Sequence, residues 1–515
     1  MPTSEMESVI GDGISFAESF NAFNAASPSG LVGAFWPLLE SLWTDGTVRP
    51  AAYDAVAGLV SAFPAADGRR QALTALLLGL IAEAEGVDAA TRNRIRGTVP
   101  GALELLAKHG DDEMLRSALL YLVEHFPEDA DQTLAAAKGL NLTAEEASRL
   151  ERSLSVPDVA DKEGVLRVGR TFPAPTVWDI PADELPGVGG WASWLDLDEE
   201  KIKLVWVMDA DSLRAVDGGR ALWLAQEREL APYDPARTPT VSVPDPARFD
   251  VAAVVGGATP LAAAMRCPTC QGPITAVGSD AACAACEACE KTYPVGEEYL
   301  DFIPEVDDIY DPFVLPAYGR GIREAFLRLV GENWGAALTL DQEDAFLREH
   351  FVPAEGPIID IGPDNGKTTK LFAEMFGADR IALVDQSGPM LRFVRGRAHG
   401  LTALRAMCYD MPFADHSVGA VNCWNVWQGA SDKPSLITEM RRVLRPGGVF
   451  TFLAYRPSPN PVGRYFQQKL NIKTLDLYEP EALRAALDAD GFDVSAYAEH
   501  GSGLMLVAAR ARELD

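Results

Sequence analysis

No run of residues in this sequence is long and apolar enough to cross a bilayer, no basic leader opens it, and positive charge is scarce. The longest apolar stretch, Ala72 to Ala82, is too short and interrupted for a membrane span. The start, Met-Pro-Thr-Ser-Glu-Met-Glu, is acidic, whereas a secretory signal needs a basic start followed by an apolar stretch. A cytoplasmic location is the resulting expectation. Lys and Arg number 45 against 75 Asp and Glu, a formal net charge of −30. Such a charge repels a polyanion at long range, which disfavours nucleic acid as a partner unless a local basic face exists. Two small clusters, Arg392/Arg395/Arg397 and Arg441/Arg442/Arg445, are more simply read as solvated helix faces. Cysteine is also sparse. Of seven, five crowd between Cys267 and Cys289, which suggests metal before disulfide.

What is present is enough apolar residue, 48%, for globular folding, and 515 residues is too long for one core. Residues from about Ser29 to Leu154 read as successive helices. Tyr53 to Phe63 and Arg69 to Ala84 form one pair, and the segments around Ala102–Leu106 and Leu115–Val123 another. Asp111 or Asp112 suits the N-cap of the last, and Pro127 stops it. The rhythm of short helical hairpins resembles HEAT or armadillo repeats, with an ordinary helical bundle as the open alternative. From Val156 to about Thr259 proline becomes frequent. Lys201–Met208 reads as a strand and Ala221–Leu224 as another, in a mixed connector or small domain without a chemical motif.

Residues 267 to 294 read CPTCQGPITAVGSDAACAACEACEKTYP. Cys267 and Cys270 form one C-x-x-C, and Cys286 and Cys289 another. Two such knuckles bring four thiolates to a closed tetrahedral site, the geometry of structural zinc. Binding would supply folding free energy that so short a segment cannot obtain from burial. Cys283 offers an alternative pairing with Cys286. The segment resembles the zinc ribbon of a small partner subunit of eukaryotic methyltransferases. It also resembles the ribbon that opens bacterial large-subunit ribosomal RNA guanine methyltransferases.

Downstream, Pro357–Asp360 is a buried-strand pattern running into Ile361-Gly362-Pro363-Asp364-Asn365-Gly366 and a helical stretch, Lys367 to Phe376. A strand, a glycine turn and a helix form the kind of crevice a nucleotide-like ligand needs. Further strands follow at Arg380–Val384, Leu404–Cys408, Val418–Cys423 and Val449–Ala454, the second of the series ending in Asp385. An acidic residue there can accept hydrogen bonds from ribose hydroxyls.

This order, with the strings VDQSGPML, EMRRVLRPGGVFTFLAY and LRAALDADGF, resembles class I (Rossmann-like) S-adenosylmethionine (SAM) methyltransferases of the small-molecule type. The resemblance covers roughly residues 320 to 512. It implies SAM as cofactor, with Asp360, Gly362 and Gly366 lining its methionine part and Asp385 holding the ribose. Gln386 and Met390 would flank the adenine, and Cys408 would lie at its edge beside Met407. Asn422 and Cys423 would offer backbone groups to the ammonium, with Trp424 close to the acceptor. Three positions depart from the pattern. Asp364 replaces a usual glycine, Met407 a usual acid unless Asp410 serves, and Gly419 a frequent aspartate. Candidates for a general base or a closing group are His416, Tyr318 and Trp424, each with a simpler structural reading. Trp424 and Trp427 could hold an amine or flat acceptor, or simply pack.

The expected architecture is multidomain: a helical repeat-like region (1–155), a mixed segment (156–262), a zinc ribbon (263–305) and an α/β methyltransferase domain (306–515). The expected activity is methyl transfer to N or O of a small molecule or peptide in specialised metabolism, with the helical region docking the substrate. An RNA guanine-N methyltransferase, a protein methyltransferase and a non-catalytic SAM-binding scaffold are the alternatives. No membrane partner is expected, and a homodimer is left open.

Overall fold

The computed structural model describes residues 15–155, 158, 199–226, 250–278, 283–296, 298–306, 338–363, 366–397, 401–424, 426, 427, 430–469, 477–501 and 503–513. Among them no helix is long and apolar enough to cross a membrane. Tyr318 and Asp364 lie outside the described residues.

The first part is helical: α1 (Phe16–Ala25), α2 (Leu31–Leu42), α3 (Ala51–Ala62), α4 (Gly68–Glu83), α5 (Ala89–Arg96), α6 (Val99–His109), α7 (Glu113–Val123), α8 (Ala130–Ala137) and α9 (Ala144–Leu154). A two-residue hairpin, β1 (Trp43–Thr44) and β2 (Thr47–Val48), joins α2 to α3. Side chains of Asp67, Asp88 and Asp112 cap α4, α5 and α7, each accepting from a backbone N–H three residues on. Such a cap is typically worth about 1 kcal/mol. In α4 every residue from Gln71 to Ala82 is buried. A helix enclosed on all faces is a centre, and α2, α3, α5 and α7 surround it. The hairpins read from the sequence are present, but they wrap a central helix instead of lying in a row.

Residues 201–208 and 221–224 are not strands. Both belong to one long helix, α10 (Glu199–Ala225), which packs on α4, α7 and α9. Arg149 forms a two-pronged ion pair with Asp217 at 3.2 and 2.9 Å, and Glu146 accepts from Arg116 at 3.0 Å and Arg220 at 3.4 Å. From Ala210 onward α10 buries residues on most of its faces, including Leu213, Val216, Leu222 and Trp223. Short continuous apolar runs of that kind carry no period that separates strand from helix. The stretch 156–262 therefore divides. α10 joins the helical core, whereas α11 (Val251–Gly256) and α12 (Pro260–Ala264) lean on the cysteine-rich segment.

That segment is a three-stranded antiparallel sheet, β3 (Ile274–Val277), β4 (Cys283–Cys286) and β5 (Thr292–Pro294). Its exit strand, β6 (Leu300–Asp301), pairs in parallel with the edge of a larger sheet. The remaining elements are α13 (Leu340–His350), β7 (Ile358–Ile361), α14 (Lys367–Phe376), β8 (Ile381–Asp385), α15 (Gly388–Arg397), β9 (Thr402–Arg405) and β10 (Val418–Cys423). They continue with α16 (Lys433–Val443), β11 (Leu444–Tyr455), α17 (Pro461–Lys469), α18 (Pro480–Ala489), β12 (Phe492–His500) and β13 (Leu504–Ala511). The eight-stranded order is β12-β13-β11-β10-β7-β8-β9-β6. β13 runs antiparallel to both its neighbours. The chain steps outward from β7 through β8 to β9, then returns to β10 on the other side. The strand order therefore reverses between β7 and β10, and a crevice opens at their carboxyl ends.

Candidate SAM site and cysteine centre

At that reversal Asp360 and Asn422 are register partners, and Thr451 of β11 is the next residue along. Their side chains form a buried row. Asn422 Nδ2 donates to Asp360 Oδ1 at 2.8 Å, and Thr451 Oγ1 donates to Asn422 Oδ1 at 2.8 Å. Thr369, in the first turn of α14, donates to the other Asp360 oxygen at 2.5 Å. A carboxylate 1% exposed is tolerable only with such donors. The row thus fixes the tips of β7, β10 and β11 relative to the start of α14. Polar residues inside otherwise apolar strands were the sequence signal for Asn422 and Thr451. Only the register shows that they meet.

The turn between β7 and α14 depends on its glycines. Gly362 has φ +57° and Gly366 φ +81°, the left-handed region that favours glycine. A Cβ on Gly362 would lie 2.2 Å from Val426 Cγ2, so the loop after β10 closes directly onto the glycine turn.

Asp385 ends β8, and its Oδ1 accepts from Ser387 N at 2.8 Å, turning the chain into α15. Ser387 Oγ accepts from Met390 N at 3.2 Å. Gln386 presents its carbonyl to Arg405 Nε at 2.9 Å, and Met390 is buried. Cys408 is pushed up to about 11, chiefly by burial and in part by the nearby Asp385 charge. Burial raises the Cys423 thiol well above its ordinary range, with Cys408 and Asp360 adding. Cys408 and Cys423 thus stand within electrostatic reach of the carboxylates at the tips of β8 and β7. Met407, half-buried, offers its carbonyl to Asp410 N at 3.3 Å.

Of the two described catalytic candidates, His416 falls elsewhere and Trp424 lies just past the end of β10 but is buried. His416 precedes β10, so it sits at the amino end of the sheet, about 20 Å of strand from Asn422. Its ring Nδ1 lies 3.1 Å from the Leu444 carbonyl, a structural contact. Trp424 is interior: its indole N–H donates to Glu343 Oε1 at 3.0 Å and its ring packs near Phe346. Trp427 is fully buried and stacks on Phe452 with centroids 4.5 Å apart. Sequence reasoning missed Glu343 and its partner Lys367, 3.4 Å away, which tie α13 to the glycine turn.

In the ribbon the sulfurs of Cys267, Cys270, Cys286 and Cys289 all lie within 4.8 Å of one another. Cys267 and Cys289 are 3.7 Å apart and Cys270 and Cys286 3.4 Å. Sulfurs about 2.3 Å from a common centre in a tetrahedron stand about 3.8 Å apart, so the four fit a metal such as zinc. Gly272 is needed for the approach, since a Cβ there would meet Ala288 Cβ at 2.7 Å and Cys286 Sγ at 3.0 Å. Cys283 faces the Val277 carbonyl and is not of this group.

Residues 359–452, which span β7 to β11, match the family described as methyltransferase domain. An uncharacterized chloroplastic methyltransferase of Arabidopsis thaliana is 31% identical over 206 residues, covering 35% of this chain and 57% of the relative. The ubiquinone/menaquinone biosynthesis C-methyltransferase of Hahella chejuensis is 30% identical over 118 residues, covering 22% and 47%. The chain thus spans about half the length of these relatives. Among solved structures, a phosphoethanolamine N-methyltransferase of Haemonchus contortus in complex with SAM superposes with a TM-score of 0.30 at 17% identity, covering 34% of this chain and 53% of that one.

Proposed function

We propose that the chain binds SAM at the tips of β7, β8 and β9 and transfers its methyl group to N or O of a small molecule or peptide, in specialised metabolism. The observation that carries this reading is the buried Thr451–Asn422–Asp360–Thr369 row at the strand reversal, with Asp385 at the next strand tip. SAM supplies an already activated methyl group. The protein therefore has to align an acceptor lone pair and exclude water, and no general base is required unless the acceptor must lose a proton early. Matched relatives are named for C-, N- and O-methylation, so the acceptor atom rests on the sequence reading. Calorimetry with SAM and its demethylated product, S-adenosylhomocysteine (SAH), tests the proposal. Heat from both is expected, and none from either overturns it.

Cys267, Cys270, Cys286 and Cys289 are proposed to hold a structural zinc. A closed set of four thiolates leaves no position for substrate. Equimolar zinc by elemental analysis supports this assignment, and metal-free folded protein refutes it.

A further inference from the structure

If the ribose is held at Asp385 on β8, the sulfonium end of SAM lies at the β7/β10 reversal, and the acceptor must approach over the tips of β10 and β11. The other half of the chain reaches that side of the sheet. Val216 of α10 belongs to the same apolar cluster as Trp424, Tyr455 and Leu504, residues at or just past the ends of β10, β11 and β13. Only five residues, Arg456 to Asn460, separate β11 from α17. α17 packs on the helical half. Its Val462, Tyr465 and Phe466 are part of the core of the helical half.

The fit is close at several points. A Cβ on Gly218 would lie 2.5 Å from the Phe466 ring, and one on Gly46 2.7 Å from the Tyr465 ring. Phe466 stands edge-on to Tyr121 with centroids 5.5 Å apart, and Tyr465 edge-on to Trp43 at 5.0 Å. At the end of α17, Lys469 Nζ lies 3.6 Å from Glu83 and 3.8 Å from Asp211, and its carbonyl accepts from Ser212 Oγ at 2.9 Å.

We propose that α10 and α17 form the acceptor-side wall of the crevice, so that the acceptor is a small organic molecule enclosed between the two halves of the chain. This rests on the methyl-transfer reading. A helical half docked beside the strand tips, in a chain of net charge −30, disfavours a duplex or a folded protein as the acceptor. The helical half thereby sets acceptor selection and leaves SAM binding to the strands beyond β10.

The test uses the full chain, SAM labelled in its methyl group, and cell extract separated into small-molecule filtrate, RNA and protein. Label is expected in the filtrate. Phe466→Ala and Lys469→Met are each expected to slow that labelling, roughly tenfold for Phe466→Ala, while SAH affinity by calorimetry stays near wild type. Phe466→Leu, which keeps apolar bulk, is expected to recover most of the rate. Should Phe466→Ala lose SAH affinity through misfolding, Lys469→Met, on a partly exposed side chain, carries the comparison. Label in RNA or protein, or wild-type labelling by both variants, overturns the wall while methyl transfer stands. Wild-type protein that binds no SAH overturns the methyl-transfer reading and the wall with it.

Discussion

Trp424 donates its indole N–H to a carboxylate oxygen of Glu343 at 3.0 Å, and both residues are buried. Glu343 also meets Lys367, the first residue after the glycine turn. One side chain of α13 therefore braces the turn before α14 and the loop after β10, the two segments that flank the reversal. Glu343→Leu leaves Lys367 without this partner and Trp424 with a buried unpaired N–H. SAH affinity is expected to fall and the melting temperature to drop, by roughly 2–4 kcal/mol of stability. Glu343→Gln, which keeps an acceptor for the indole, should lose much less. Calorimetry and thermal melts of both variants check this, and equal losses would contradict the brace.

Gly362→Ala tests the approach of the loop after β10. The added methyl group would meet Val426, and the residue's φ of +57° strains any side chain. SAH binding is expected to be lost or reduced at least roughly tenfold. Val426→Ala in the same chain should restore part of it by opening the space. Titration calorimetry of the single and double variants reads the effect.

The junction between the halves should respond to acid. Burial alone would raise the Glu83 carboxyl, but the His125 hydrogen bond and charge, the Lys469 charge and the Tyr121 hydrogen bond outweigh it and hold it at about 2. A carboxyl depressed from 4.5 to about 2 on folding contributes stability above pH 4.5 and loses it as pH falls toward 2. The contribution is on the order of 3 kcal/mol. Thermal melts between pH 5 and about pH 3 should steepen for wild type and flatten for Glu83→Gln. Parallel profiles would remove Glu83 from that role.

The ribbon and the SAM crevice share Arg405. From β9 its guanidinium reaches Asp301 at 3.1 Å and the Ile303 carbonyl at 3.0 Å, and it also donates to the Gln386 carbonyl at 2.9 Å. Tyr299, just before β6, crowds the start of α15, where a Cβ on Gly388 would lie 2.4 Å from its hydroxyl. If the cysteine centre holds the proposed zinc, its removal is therefore expected to weaken SAH binding, roughly tenfold, without any contact between metal and ligand. Arg405→Met should weaken SAH binding with the centre intact. Calorimetry before and after chelation, with zinc content measured in parallel, distinguishes the two.

Strands β7, β8, β10 and β11 were legible as apolar runs, whereas the strand read at Leu404–Cys408 is β9, Thr402–Arg405, because its buried residues begin at Ala403 and the chain leaves the sheet after Arg405. The cysteine cluster was legible from its spacing, but only the geometry sets Cys283 apart from the other four. α10 was misread because a helix buried on most faces shows neither a period of two nor one of 3.6. Glu343, Arg405 and Lys469 act through partners 19 to 386 residues away in the chain, and no local pattern marks such pairs. His416 carried a usable signal that was passed over: a residue preceding a parallel strand stands at the end opposite the ligand.

Strand β6 gives β9 a hydrogen-bonded neighbour on what would otherwise be the outermost position of the sheet. If the ribbon comes apart, β9 presents a bare row of amide and carbonyl groups, ready to pair with the same strand of another molecule. If the four cysteines hold the proposed zinc, starving the protein of it would then cost solubility before it cost the rest of the fold, and the clumping would start from that margin.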